Sequence, residues 1–169
     1  MLNPILSNLS LTQEQIKNIE KKLNKTSEVI KKNMLVLLID NSGQLIATNG
    51  NNTKNYDLLS ISALAIATLE ATQKLSEAMG QSFKYVFNQG TTSNLFITRA
   101  TNQTVLVIDY DSSIEVSEVE RVVDDFSNDI KELSKTWSVV DKRNMKKGEG
   151  PLKEDTLDQD IDEVFNSLS

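Results

Sequence analysis

The residues best suited to chemistry in this chain are small groups of neighbouring carboxylates. They are Asp40 beside Asn41 and Ser42, the pair Asp109 and Asp111, and the pair Asp124 and Asp125. Carboxylate and amide oxygens are ligands for hard cations, so each group could in principle hold a metal ion. An Asp-Asn-Ser run is, however, typical of a turn in which side-chain oxygens accept backbone N–H groups. We interpret the other two pairs as solvated acids of a helix and a loop edge, and we predict no catalytic and no metal-binding residue.

The chain contains neither histidine nor cysteine. It therefore lacks the commonest general base, the usual zinc ligands and the Ser-His and Cys-His nucleophile pairs. It also has no G-x-x-x-x-G-K-[ST] phosphate loop and no G-x-G-x-x-G dinucleotide motif, so we predict no cofactor. This composition favours a binding protein over an enzyme.

Net charge is confined to the C-terminal end. Of the formal charge of −6, all is carried by residues 149–169, where seven acids face one lysine. The preceding residues balance to zero, which argues against nucleic acid as a partner. The first residues resemble neither a secretion signal nor a myristoylation site, and no apolar run is long enough for membrane insertion. We therefore expect a cytoplasmic protein.

The elements that must position any functional surface follow the order α-β-β-α-β-β-β-α. A capping box starts the first helix at Thr12, and the turn Asn41-Ser42-Gly43 joins strands at 34–40 and 44–49. A long helix at 57–79 ends at Gly80, strands follow at 82–88, 94–99 and 104–110, and the last helix covers about 115–137. These elements predict an α+β sandwich: one antiparallel five-stranded sheet with helices on both faces.

The middle helix has too few charged residues for an ordinary surface helix. Helical spacing separates three faces. The face expected to cover the sheet contains Ile61, Leu64, Ala65, Thr68, Thr72, Leu75 and Met79. A flat face contains Ala63, Ala67, Ala71 and Ala78 with Lys74, and a third face contains Ile66, Leu69 and Gln73. Because a sheet can cover only one face, we expect another protein to cover part of the rest. The alternative is that the alanines simply favour helix and fill a core of small volume.

The C-terminal residues form a separate segment. We divide the chain into an N-terminal extension at 1–11, a folded domain at 12–138, a charged linker at 139–155 and an acidic amphipathic tail helix at 156–169. The apolar residues of the tail recur on one helical face: Leu157, Ile161, Val164, Phe165 and Leu168. We predict that this face folds onto a partner protein.

Four stretches together resemble the roadblock family, named for a dynein light chain, and within it the bacterial gliding-motility regulators. They are LVLLIDNSGQLIATNG at 35–50, SISALAIATLEATQKLSEAMG at 60–80, FNQGTTSNLFIT at 87–98 and TVLVIDYDSS at 104–113. The tail sequence DQDIDEVFNSL at 158–168 resembles the short acidic terminal helix of the same regulators. The resemblance implies a roadblock/profilin-like sandwich.

The resemblance also implies function. Roadblock proteins dimerise through their third strands and middle helices and bind small Ras-like GTPases, and the gliding regulators stimulate GTP hydrolysis in their partner. By this resemblance we expect a GTPase-activating protein, with the apolar tail residues as a second contact. The low charge of the middle helix predicts a homodimer. Because the domain has only Arg99 and Arg121, which we interpret as solvated or paired charges, we expect it to position the partner's own catalytic residues rather than insert an arginine. The expected dimer and GTPase interface comprises Ala63, Ala67, Glu70, Ala71, Lys74, Ala78, Tyr85 and Phe87. The alternative is a roadblock dimer that acts as a scaffold without effect on GTP hydrolysis.

Overall fold

The computed structural model describes residues 9–30, 35–50, 53 and 56–139. In these ranges the chain forms three helices and seven strands. In chain order they are β1 (Leu9–Ser10), α1 (Gln13–Ile30), β2 (Leu35–Asp40), β3 (Leu45–Gly50), α2 (Leu58–Met79), β4 (Tyr85–Gln89), β5 (Ser93–Thr101), β6 (Thr104–Asp111), α3 (Val116–Ser134) and β7 (Ser138–Val139).

Five strands form one antiparallel sheet in the order β3-β2-β6-β5-β4. Every residue of the inner strand β2 is buried, as a near-continuous apolar strand covered on both faces should be. One apolar cluster lies between the sheet and the pair α1 and α3, and a second lies between the sheet and α2. The predicted α+β sandwich is confirmed.

Capping contacts mark the start of α1 and both ends of α2. At the start of α1, the Thr12 amide donates to Gln15 Oε1 at 2.7 Å, and the Gln15 amide donates to Thr12 Oγ1 at 3.2 Å. Asp57 caps α2 by accepting from the Ser60 amide at 3.1 Å, and Gly80 ends that helix with φ of 61°. These contacts satisfy backbone groups that a helix end leaves unpaired.

The turn between β2 and β3 is the predicted Asx turn. Asp40 Oδ1 accepts the backbone amides of Ser42 at 2.8 Å and Gln44 at 2.9 Å. Gly43 has φ of 80° and lies against the backbone of Ala63, where an added Cβ would stand 3.5 Å from the Ala63 Cα. The turn therefore packs directly on α2, and Asp40 has a structural role.

Two predicted boundaries are wrong. Strand β4 begins at Tyr85, three residues after the predicted start, because the intervening loop is bound to α2: the Phe83 amide donates to Ser76 Oγ at 3.3 Å, and Ser76 Oγ donates to the Gln81 carbonyl at 3.0 Å. Helix α3 ends at Ser134, three residues before the predicted end. After it, the backbone amides of residues 135–137 each donate to the carbonyl three residues earlier, so tighter turns continue as far as Trp137.

A two-stranded sheet was not foreseen. Leu9 pairs with Val139 and Ser10 with Ser138, so the residues just before α1 lie beside those just after α3. The proposed linker and tail at 140–169, and residues 1–8 of the extension, lie outside the described residues.

Candidate protein-interaction site

The sheet-facing side of α2 differs from the predicted one. The residues that are buried or packed against the sheet are Leu58, Ile61, Ser62, Ala65, Ile66, Leu69 and Ser76. Leu64, Leu75 and Met79 were expected there but are 66%, 55% and 57% exposed. Small side chains face inward because the Gly43 turn approaches Ser62, and Ser76 holds the loop that follows the helix.

The outward surface of α2 carries the six helical residues of the predicted interface. We call them the alanine face: Ala63, Ala67, Glu70, Ala71, Lys74 and Ala78, all exposed. Lys74 Nζ lies 3.0 Å from Glu77 Oε2, and its hydrogen bond lowers the pKa of the Glu77 carboxyl. This surface could accept another backbone at short distance, because alanine side chains add little bulk.

Beside the alanine face runs a second apolar strip. We call it the leucine shoulder: Leu64, Thr68, Leu75 and Met79. The Thr68 hydroxyl donates to the Leu64 carbonyl at 2.8 Å, so its proton is already used within the helix. The leucine shoulder contains no charged residue.

The two strand residues of the predicted interface lie apart from α2. Tyr85 packs on the opposite face of the sheet and stacks on Phe96 with ring centroids 4.5 Å apart. A hydrogen bond with the Glu120 carboxylate on α3 raises the pKa of the Tyr85 hydroxyl. Phe87 is 38% exposed. The structure thus divides the predicted interface between the outer side of α2 and the strand β4.

Strand β4 is an edge of the sheet. Among the described residues it pairs only with β5, so its other side presents unpaired backbone N–H and C=O groups. The ion pair between Lys84 and Asp124, at 3.0 Å, fixes the start of β4 on α3, and the same contact raises the pKa of the Lys84 amine. Such an edge can pair with a strand of another chain.

Sequence reasoning missed two exposed apolar residues near this surface. Leu59 is 77% exposed on the flank of α2 away from the leucine shoulder, and Phe83 is 47% exposed before β4. Their apolar character was visible in the sequence, but their exposure depends on how α2 is rotated over the sheet. Both enlarge the apolar surface that a partner could cover.

Neither arginine of the domain lies on the alanine face. The Arg99 guanidinium donates to Asn41 Oδ1 at 3.0 Å and lines a cavity of about 460 Å³ between α2 and the loop at 81–84. Arg121 is exposed on α3, across the sheet from α2. In the described ranges no cluster of three or more acidic side chains is placed to hold a metal ion. Nor does any helix there have both the length and the apolar character needed to span a bilayer.

A sequence model of the Roadblock/LC7 domain matches residues 16–109, more than half of the chain. The chain belongs to the Roadblock/LC7 family. The matched range of this roadblock chain contains α2, with its alanine face, and the edge strand β4. No curated protein sequence matches the chain.

Solved structures share the roadblock fold. MglB of Myxococcus xanthus superposes with a TM-score of 0.68 at 24% identity, covering 79% of this chain and 98% of that one. The gliding protein MglB of Thermus thermophilus gives 0.68 at 21%, covering 76% and 97%. A structure of MglB in a tetrameric arrangement gives 0.64 at 22%, covering 75% and 98%. This roadblock chain is therefore similar in fold to MglB along nearly the whole length of those proteins.

Proposed function

We propose that this protein is a homodimeric regulator of a small Ras-like GTPase. The observation that carries the proposal is the outer side of α2: four exposed alanines and only two charged residues on the alanine face of a Roadblock/LC7 chain. A helix with so little charge on its solvent side is typical of a covered surface. The unpaired edge of β4 supports a second copy as one of the covering proteins.

The dimer acts as a GTPase-activating protein by positioning the partner's own catalytic residues. Stimulated hydrolysis requires that the activator bind the hydrolysis-competent state best. Some activators insert an arginine, but the Arg99 guanidinium donates to Asn41 and lines the cavity between α2 and the loop at 81–84 rather than the alanine face. Arg121 lies on the opposite face of the sheet from α2. The two α2 helices of the dimer together bind the GTPase, and the acidic tail at 156–169 adds to that contact.

The experiment is GTP turnover by purified small Ras-like GTPases of the same organism, first the one whose gene neighbours this one. We expect the full-length protein to raise single-turnover GTP hydrolysis by its partner and to bind the GTP state more tightly than the GDP state. The variant Ala67→Arg should lose stimulation, whereas Asn128→Arg on α3 should retain it.

A second candidate function is a scaffold that binds the GTPase without changing hydrolysis. It is favoured by the absence of any arginine on the alanine face in the described chain. Binding without a change in the hydrolysis rate would replace the activator proposal with the scaffold. Binding to none of the GTPases would contradict both.

A further inference from the structure

Residues 81–84 connect the end of α2 to the edge strand β4, and Ser76 on α2 binds this connection at Gln81 and at Phe83. The Ser76 hydroxyl donates to the Gln81 carbonyl at 3.0 Å and accepts the Phe83 amide at 3.3 Å. The backbone carbonyl of Ser76 also accepts the Gln81 amide at 3.0 Å. Ser76 is only 8% exposed, so water competes little for these bonds. One residue of α2 therefore directs the path of the chain into β4.

The sheet holds the same connection from its other end. The Thr98 hydroxyl on β5 donates to the Lys84 carbonyl at 2.9 Å, and Thr98 is 6% exposed. The ion pair of Lys84 with Asp124 on α3 is exposed at both side chains, and exposed ion pairs contribute less than buried hydrogen bonds. The buried hydroxyls of Ser76 and Thr98 are thus the main fixed points of residues 81–84.

These bonds limit the length of the β4 edge. The sequence predicts a strand from Ser82, but β4 begins at Tyr85. Because the Phe83 amide donates to Ser76, it is not available to pair with a strand of another chain. Among the described residues, the free edge of β4 is therefore the five-residue strand Tyr85–Gln89.

A short and fixed edge favours one arrangement of two copies. A shift of one residue between paired strands turns every side chain to the other face of the sheet, so each register is a separate arrangement. A strand that could also begin at Ser82 would offer more registers than β4 does. Ser76 in addition lies on α2, so its bonds fix β4 relative to the alanine face. The two separate parts of the predicted interface are connected through this residue.

We propose that Ser76 is a positioning residue for the dimer, because its hydroxyl holds β4 where the strand and the alanine face can contact a second copy together. This role rests on the proposed homodimer. It belongs to a buried side chain that is not itself part of the exposed interface.

The test is the dimer dissociation constant of full-length variants, measured by sedimentation velocity. Ser76→Ala removes the hydroxyl with both of its bonds, and we expect the dissociation constant to rise about tenfold. Ser76→Thr keeps the hydroxyl and should retain the unmodified value, because Ser76 lines a cavity of about 460 Å³ that has space for a methyl group. Ser127→Ala is the matched control, since Ser127 is also 8% exposed but lies on α3, across the sheet from α2.

A second variant acts on the other fixed point. Thr98→Val removes the hydroxyl bond to Lys84 with little change in size, and it should also raise the dissociation constant. Circular dichroism checks that each variant is folded; if Ser76→Ala is not, Thr98→Val decides the question.

Hydrogen exchange separates positioning from general stabilisation. In Ser76→Ala the Phe83 amide should exchange faster, while the amides shared by β5 and β6 keep their protection. A residue that only stabilised the fold would change protection throughout the domain and leave the dissociation constant of the folded protein unaltered.

Three outcomes would overturn the proposed role of Ser76. In the first, the unmodified protein is a dimer and the folded variants Ser76→Ala and Thr98→Val dissociate no more readily than it does. In the second, Ser127→Ala weakens the dimer as much as Ser76→Ala, so that loss of any buried hydroxyl has the same effect. In the third, the unmodified protein is a monomer, which contradicts the proposed homodimer as well. The first two outcomes leave the homodimer intact, so the two failures can be told apart.

Discussion

Ala67 is the position where the proposed dimer contact should be most sensitive. It lies one helical turn after the start of the alanine face, which extends from Ala63 to Ala78 and is exposed along about 22 Å of helix. Two helices that meet through alanines can approach to about 8 Å, which leaves no room for a long side chain. Ala67→Arg places an unpaired guanidinium in that contact, while helix propensity hardly changes.

The expected loss follows from the cost of an uncompensated buried charge, about 3–5 kcal/mol. A loss of about 4 kcal/mol raises the dimer dissociation constant roughly a thousandfold. If the arginine reaches water past Glu70, the side chain still displaces the second helix, and we expect at least about a tenfold change. Asn128→Arg is the matched control, because it adds the same charge on the exposed side of α3.

Sedimentation velocity over a concentration series measures the dissociation constant of each variant, and circular dichroism confirms that the fold is retained. The unmodified protein and Asn128→Arg should be dimers at micromolar concentration, and Ala67→Arg should be a monomer. A dissociation constant for Ala67→Arg within a factor of a few of the unmodified value would refute the contact, as would a monomeric unmodified protein.

Three further predictions concern other parts of the domain. Arg99→Ala and Arg121→Ala should each leave GTPase stimulation nearly unchanged in single-turnover assays; a loss of about a thousandfold in either would identify an arginine finger. Thr12→Ala removes half of the capping box and should lower the free energy of unfolding in urea by about 1 kcal/mol, whereas an unchanged midpoint would mean that the cap contributes nothing. The raised pKa of Tyr85 means that its contribution to stability is complete below about pH 10 and is lost as the pH rises further. Tyr85→Phe should therefore lose less stability than the unmodified protein between about pH 9 and 11, and equal losses would contradict this role of the bond to Glu120.

The sequence predicted those parts of the fold that local chemistry determines. Thr12 and Gly80 marked helix ends because each acts on backbone groups within a few residues of itself. The start of β4 could not be predicted in the same way. It depends on a hydrogen bond from the Phe83 amide to the side chain of Ser76 on α2, seven residues earlier in the chain. The small β1–β7 sheet joins residues too far apart for any local pattern to indicate.

The candidate site was predicted only in part for a related reason. Helical spacing correctly grouped the alanines on an exposed side of α2, but it could not determine how the helix is rotated over the sheet. Leucine and alanine are both apolar, so periodicity favoured the bulkier residues as the buried ones. The structure has Ala65 and Ser62 inside and Leu64 and Leu75 outside.

This reversal itself favours a covered surface. In a helix that only packs on its own sheet, exchanging Ser62 with a neighbouring leucine would increase apolar burial, yet Ser62 is 1% exposed and its hydroxyl makes no hydrogen bond in the described chain. The close approach of the Gly43 turn to the backbone of Ser62 and Ala63 favours a small residue inside. It does not explain three large apolar side chains outside on the leucine shoulder. Their exposure is a cost to an isolated domain that a covering segment or partner would remove, and α2 is therefore best understood as a helix placed between two layers of protein.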